Sequence, residues 1–232
     1  TNLQVLITIL GTWILCPIIA GVIAMGLFTF TKRVILNRKL HILRLDAYTR
    51  TALLLAGAFG AYSLGANNIA NVMGVFVPIS PFTDVTIGNL FVFSSKEQLF
   101  LLGGLAIAVG VFTYSKRVMF TVGNDLLKMT PVAAFIVVIS HSIVLFLFAS
   151  QGISAFLQSI NLPSIPLVPV SSSQAVVGGV IGIGLLKGGK EVQWSIAGRI
   201  SLGWMTLPII AALISLIVLF ILENIFNLTV SF

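Results

Sequence analysis

Charge is what this chain has least of. Its 232 residues carry six Asp and Glu against thirteen Lys and Arg, and only 8% of positions are charged. A soluble domain covers its surface with about 25% charged residues, so a water-exposed globule is excluded. With 58% hydrophobic residues and a mean hydropathy of +1.12, the chain reads as an integral membrane protein whose first partner is the lipid bilayer. Cysteine is nearly absent too. Cys16 is a single thiol in an apolar segment, which rules out a disulfide framework or a cysteine-based metal site built from this chain alone. No nucleophile–base pair, phosphate-binding Gly-rich loop or metal-ligand spacing is present, so an enzyme is not expected. No charged n-region precedes an h-region, so no cleavable signal peptide is expected, and the start at Thr1 suggests a piece of a longer chain.

The net charge of +7 is concentrated. Lys32, Arg33, Arg38, Lys39, Arg44 and Arg50 fall in one stretch between two hydrophobic segments. The positive-inside rule accounts for that placement better than nucleic-acid binding does, and no nucleic acid is expected as a partner. With Leu40, Ile42, Leu43 and Leu45 among the charges, residues 31–50 are expected to form an amphipathic segment at the cytoplasmic surface. Residues 3–30, 51–76, 98–115 and 194–222 are long enough to span ~30 Å of hydrocarbon, the last with Pro208 inside it. Residues 77–97 read as an external loop. Residues 132–149 and 174–186 are apolar and flank a Ser-, Gln- and Pro-rich stretch. The second of these is too short to span, so the pair predicts a re-entrant hairpin, or one full helix plus a broken one. No stretch alternates as a transmembrane strand does, and the fold class is all-α in a plasma membrane.

Polar residues are rare enough in these spans to stand out. Asn67, Asn68 and Asn71 lie within five residues of apolar chain, beside Gly65, Ala66 and Gly74. Each unpaired polar group costs several kcal/mol in hydrocarbon. Asn67 and Asn71 share a helical face. The Gly-weakened surroundings predict a break between two half-helices over residues 63–74, with the carboxamides facing a midplane cavity. A second cluster, Ser171-Ser172-Ser173-Gln174, precedes the short apolar segment. Ser is a favoured N-cap, and the free N–H groups of a helix start attract anions without any cation. The cluster by itself fits equally a capped helix beside a surface loop and an anion site aimed at a cavity. Together, the amide and hydroxyl clusters supply neutral donors for an oxyanion and hard oxygens for Na⁺. His141, mid-helix among apolar residues, reads as a packed, hydrogen-bonded histidine, and Asp125 with Lys128 as a solvated pair. Gly178 and Gly182 give the spacing of close helix packing.

Gly65-Ala66-Asn67-Asn68-Ile69-Ala70-Asn71 resembles the Gly-Ala-Asn-Asp-Val-Ala-Asn signature of the inorganic phosphate transporter (PiT) family. Ser171-Ser172-Ser173-Gln174-Ala175-Val176-Val177-Gly178 is similar to that family's Ser-Thr-Thr-His-Ala-x-x-Gly element. Thr12-Trp13 through Pro17, Val122-Gly123, Thr130-Pro131 and Ser201-Leu202-Gly203-Trp204 through Pro208 also fall in family order. The resemblance implies an inverted-repeat secondary transporter with broken helices that moves inorganic phosphate with Na⁺ or H⁺; sulfate permeases related to the family make sulfate the alternative cargo. Each repeat carries both motifs, and this chain has one copy of each. Residues 51–232 therefore resemble the second repeat, and residues 1–50 the last helix of the first repeat plus the basic loop. A homodimer, or a separate first-repeat segment, is the implied partner; an inactive half-transporter is the alternative function. By the same resemblance, Ser171, Ser172, Ser173, Gln174, Asn67 and Asn71 are the expected substrate ligands, and Asn67, Asn68, Asn71 and Ser172 the expected cation ligands. Asn68 stands where the family has Asp, and Gln174 where it has His, so neither position titrates.

Overall fold

A computed structural model of the chain describes residues 3–36, 41–88, 91–120 and 126–226. Arg38, Lys39, Val122, Gly123, Asn124 and Asp125, and with them the expected pairing of Asp125 with Lys128, lie outside the described residues. Among the described residues, seven α-helices carry the fold: α1 (Leu3–Thr31), α2 (Ile42–Met73), α3 (Ser95–Phe120), α4 (Pro131–Ala149), α5 (Gln151–Ser159), α6 (Ser172–Leu186) and α7 (Trp194–Phe226). Four helices among the described residues are long and apolar enough to cross a membrane, over Ile7–Val34, Ser95–Lys116, Pro131–Ala149 and Trp194–Ile225. The chain divides after Val192 into two compact units. The second is built on α7, which continues as one helix through Pro208.

In the first unit α1, α4 and α6 enclose a core of Cys16, Ala20, Val144, Leu145, Phe148, Val170 and Ala175. Glycine sets the closeness of α1 and α6. A Cβ at Gly182 would meet the Gly21 carbonyl oxygen at 2.5 Å, and one at Gly178 would strike the Pro17 backbone. Pro17-to-Gly21 thus runs alongside Gly178-to-Gly182, and the two helices are parallel. α2 lies on α4, with Gly60 against Ser142 and Phe59 and Tyr62 against the Phe146 ring. α3 docks on α2 where Gly103 admits the Met73 side chain.

Two expectations are corrected. The break over residues 63–74 does not occur: α2 runs unbroken to Met73, and the chain tightens only afterwards, into the 3₁₀ turn Gly74–Ile79. The polar side chains are satisfied without opening the backbone. Ser63 Oγ donates to the Phe59 carbonyl at 2.8 Å, and Asn68 Nδ2 to the Leu64 carbonyl at 3.1 Å. A lone Gly65 costs only about 1 kcal/mol against Ala, too little to interrupt a 32-residue helix. Nor do the described residues of 31–50 form a separate surface segment. Lys32–Leu36 extend α1 as a π-helical turn, and residues 42–50 are the first turns of α2. His41 caps that helix, its Nδ1 accepting from the Leu43 N–H at 3.4 Å.

A small antiparallel hairpin, β1 (Val85–Ile87) and β2 (Phe91–Phe93), stands in the loop after α2. Gly88, at φ 62°, occupies the left-handed conformation that its turn requires. The hairpin is tied to α3 by a capping box in which Ser94 and Glu97 bond each other's backbone N–H, and by Asp84, which accepts from the Ser95 N–H at 2.7 Å.

Thr31, Tyr48 and Val132 line one cleft, so α1 ends where α2 and α4 begin. Because α6 is parallel to α1, Lys187 and Lys190 point toward that same end. Cysteines introduced at Arg33 and Lys190 are therefore expected to react with an impermeant maleimide from one and the same side of the membrane. Labelling from opposite sides would overturn the arrangement.

Candidate functional site

Depth is the first property of the site. α1, at about 1.5 Å per residue, is about 43 Å long. Cys16 lies near its middle, and its thiol donates to the Ser171 carbonyl at 3.7 Å. α6 therefore starts beside the midpoint of a membrane-length helix. Its 15 residues extend about 22 Å, enough to reach one membrane face from there. Starting α6 at this depth requires non-helical chain before it. Residues 160–161 make a turn and 162–170 form neither helix nor strand; Ile165, Val168 and Val170 pack on the core, while residues 161–164, Pro166 and Leu167 are exposed.

The two polar clusters meet here. Asn67 is 6% exposed, and its Oδ1 accepts from the Val170 N–H at 3.0 Å across 103 positions of sequence. Ser171 is the N-cap of α6: its Oγ accepts from the Gln174 N–H at 3.4 Å and shares a hydrogen bond with Ser173 Oγ at 3.0 Å. The first-turn N–H groups of Ser172 and Ser173 have no partner within a helix. At a helix start they carry the positive end of the dipole. Ser171 and Ser172 are half-buried and Ser173 is exposed. Gln174 is 6% exposed, and its Oε1 is buried with no hydrogen-bond partner. An unmet buried acceptor costs about 1–3 kcal/mol, which marks this oxygen as one waiting for a donor.

The structure thus brings Asn67 to the start of α6 beside Ser171, Ser172, Ser173 and Gln174. Asn68 sits beside it, half-buried, with Nδ2 committed to its own helix. Asn71, one turn beyond Asn67, is exposed and does not join the Asn67–Val170 contact. His141 hydrogen-bonds to the Val138 backbone, as a packed histidine does, yet its Nε2 is buried without a partner. The described residues include no cluster of His, Cys, Asp and Glu able to hold a metal ion. What the arrangement offers is neutral: N–H and O–H donors for an oxyanion, and carboxamide and hydroxyl oxygens for a monovalent cation. Sequence reasoning did not place Cys16 and Val170 at the site. Their signal is only that both are small or branched apolar residues in segments carrying the family-like order.

Comparison with known proteins bears on this geometry. A family model described as the phosphate transporter family matches residues 41–215 and, in an overlapping match, 160–230. A protein of Methanocaldococcus jannaschii named as a phosphate permease is 30% identical over 218 residues, covering 94% of this chain and 61% of that protein. The human sodium-dependent phosphate transporter 1 is 28% identical over 161 residues, covering 67% of this chain and 21% of that protein. A solved structure titled as the sodium-dependent phosphate transporter superposes with a TM-score of 0.62 at 19% identity, covering 88% of this chain and 63% of the other. That likeness is one of fold. The chain spans about three fifths of the first of these relatives and a smaller part of the human one.

Proposed function

The chain belongs to the phosphate transporter family, and from that premise we propose that it binds inorganic phosphate at the start of α6 and carries it across the membrane with a coupling cation. One observation supports this reading above the others: the Asn67–Val170 hydrogen bond, which joins both polar motifs at the mid-depth of α1. In this reading the hydroxyls of Ser171, Ser172 and Ser173 and the free N–H groups of the first turn hold the phosphate oxygens. Gln174 Oε1 accepts a hydrogen bond from the P–OH group that phosphate bears at neutral pH. Sulfate bears none, so a buried acceptor at this place favours phosphate over sulfate. Asn67, Asn71 and Ser172 complete the shell of the anion or of the cation.

Na⁺ is the coupling ion in this proposal. Asn68 and Gln174 cannot take up and release a proton near neutral pH, while their oxygens suit a hard cation. The relatives named as sodium-dependent point the same way. Residues 51–232 act as the second of two inverted repeats, with residues 1–50 as the last helix of the first repeat and the loop that follows it. The exposure of Asn71 and Ser173 favours a second element in this reading. Polar groups at this depth call for protein or a water-filled cavity beside them, which a first-repeat segment or a second copy of the chain would provide.

Radiolabelled phosphate and sulfate uptake into proteoliposomes, with and without an inward Na⁺ gradient, tests the proposal. Phosphate uptake that rises with the gradient and exceeds sulfate uptake is the expected result. Saturable phosphate binding without uptake would identify a half-transporter awaiting its partner. Neither uptake nor binding would overturn the reading.

A further inference from the structure

The basic end of the bundle holds a cleft that the transport site does not use. About 260 Å³ in volume, it opens between the end of α1 and the first turns of α2 and α4. Its walls are apolar: Leu45, Ala52, Val132 and Phe135, with the Tyr48 ring at the side. Thr49 also lines it, but its hydroxyl is turned back to the Leu45 carbonyl at 2.8 Å and offers a ligand little. Such walls suit hydrocarbon and repel a free anion or a polar peptide.

The chain beside these lining residues is the opposite in character. Lys32 and Arg33 follow the lining residue Thr31 directly, Arg44 precedes the lining residue Leu45, and Lys128 lies just before α4. All four are exposed. Asp46, the one carboxylate on this stretch of α2, is taken by Arg50 at 2.8 Å. Among the described residues, then, Lys32, Arg33, Arg44 and Lys128 form no ion pair and adjoin, in sequence, residues or elements that line the apolar slot. Tyr48 is 64% exposed, the placement of an aromatic ring at a membrane–water boundary.

We propose that this cleft is a binding site for one anionic diacyl phospholipid, with an acyl chain between α1, α2 and α4 and the headgroup phosphate on Lys32, Arg33 and Arg44. Charge complementarity selects the headgroup, and the dry wall selects the tail. A zwitterionic lipid satisfies only the second requirement. Because the cleft is tied to the junction of α1 with α2 and α4, the lipid would brace three helices at one end of the first unit.

Native mass spectrometry of the purified chain, given equal amounts of phosphatidylglycerol and phosphatidylcholine with identical tails, tests this directly. The expected result is preferential retention of phosphatidylglycerol. Each juxtamembrane cation contributes about five-fold in affinity. The exposed-site variant Lys32→Gln/Arg33→Gln/Arg44→Gln should therefore lose the preference by on the order of a hundredfold, while still binding lipid. Ala52→Phe, which fills the slot, should lower retention of both lipids, with folding checked by protection of the buried Cys16 thiol. Equal retention of the two lipids by the parent would overturn the proposal. So would a preference that survives in the triple variant, or displacement of phosphatidylglycerol by millimolar inorganic phosphate, which would show that the cations bind free phosphate without a tail. None of these readouts depends on transport.

Discussion

Gly178→Leu is expected to separate α1 from α6 and to prevent the first unit from forming. The contact is backbone on backbone. A Cβ at position 178 would stand 2.6 Å from Pro17 Cα and 2.7 Å from its carbonyl carbon, and neither atom belongs to a side chain that can turn aside. Without a hydrophobic force between helices inside lipid, close packing of this kind is what holds them together. Overpacking a fitted contact typically costs about 1–3 kcal/mol, which is a scale for Gly178→Ala; a leucine adds three more carbons at the same place and should exceed it. Cys16 reports the outcome without any added probe. The chain's single thiol is fully buried and sits against Ser171 at the start of α6. In the parent it should resist a lipid-soluble maleimide, and in Gly178→Leu it should react. Gly65→Ala serves as the control, because nothing lies within 4 Å of a Cβ at that position. Protection of Cys16 in Gly178→Leu equal to that in the parent would show that the interface is not as tight as its geometry indicates.

The second large effect is expected at Ser172 and Ser173. Both hydroxyls stand on the first turn of α6, and neither side chain is needed to cap it, since Ser171 fills that role. Removing them should therefore leave the helix intact. A hydrogen bond to a charged ligand contributes about 1.5–3 kcal/mol, or roughly ten- to a hundred-fold in affinity for each hydroxyl that touches the anion. Ser171→Ala, by contrast, removes the cap and should cost stability of about 1 kcal/mol as well. The comparison of the three positions thus separates a ligand role from a structural one.

Much of this arrangement was legible in the sequence, and the exceptions have physical causes. Apolar run length predicted α1, α3, α4 and α7 closely, because in lipid the length of a span is dictated by hydrocarbon thickness. The shortness of residues 174–186 correctly marked α6 as a helix too short to span. The Gly178–Gly182 spacing predicted close helix packing without naming the partner, which in the structure is α1. The Asn cluster was misread as a helix break because spacing shows which side chains share a face, not whether a side chain bonds its own helix. Asn68 and Ser63 do so, and α2 stays whole. Asp84, Ser94 and Glu97 read as ordinary loop residues and Gln98 as the start of a span, yet they tie the hairpin to α3 through contacts 3 to 15 positions apart. The Asn67–Val170 bond was beyond local pattern altogether. It spans 103 positions, and only the family-like order of the two motifs suggested that they meet.

Equilibrium binding of radiolabelled phosphate to the purified chain in lipid nanodiscs tests the central claim most directly, with the parent set beside Ser172→Ala and Ser173→Ala and the thermal stability of each followed in parallel. The account predicts saturable binding by the parent and a ten- to a hundred-fold weaker affinity, roughly, in the alanine variants at unchanged stability. Parent-like phosphate affinity in both variants would contradict it and leave the hydroxyl cluster as nothing more than the start of a helix.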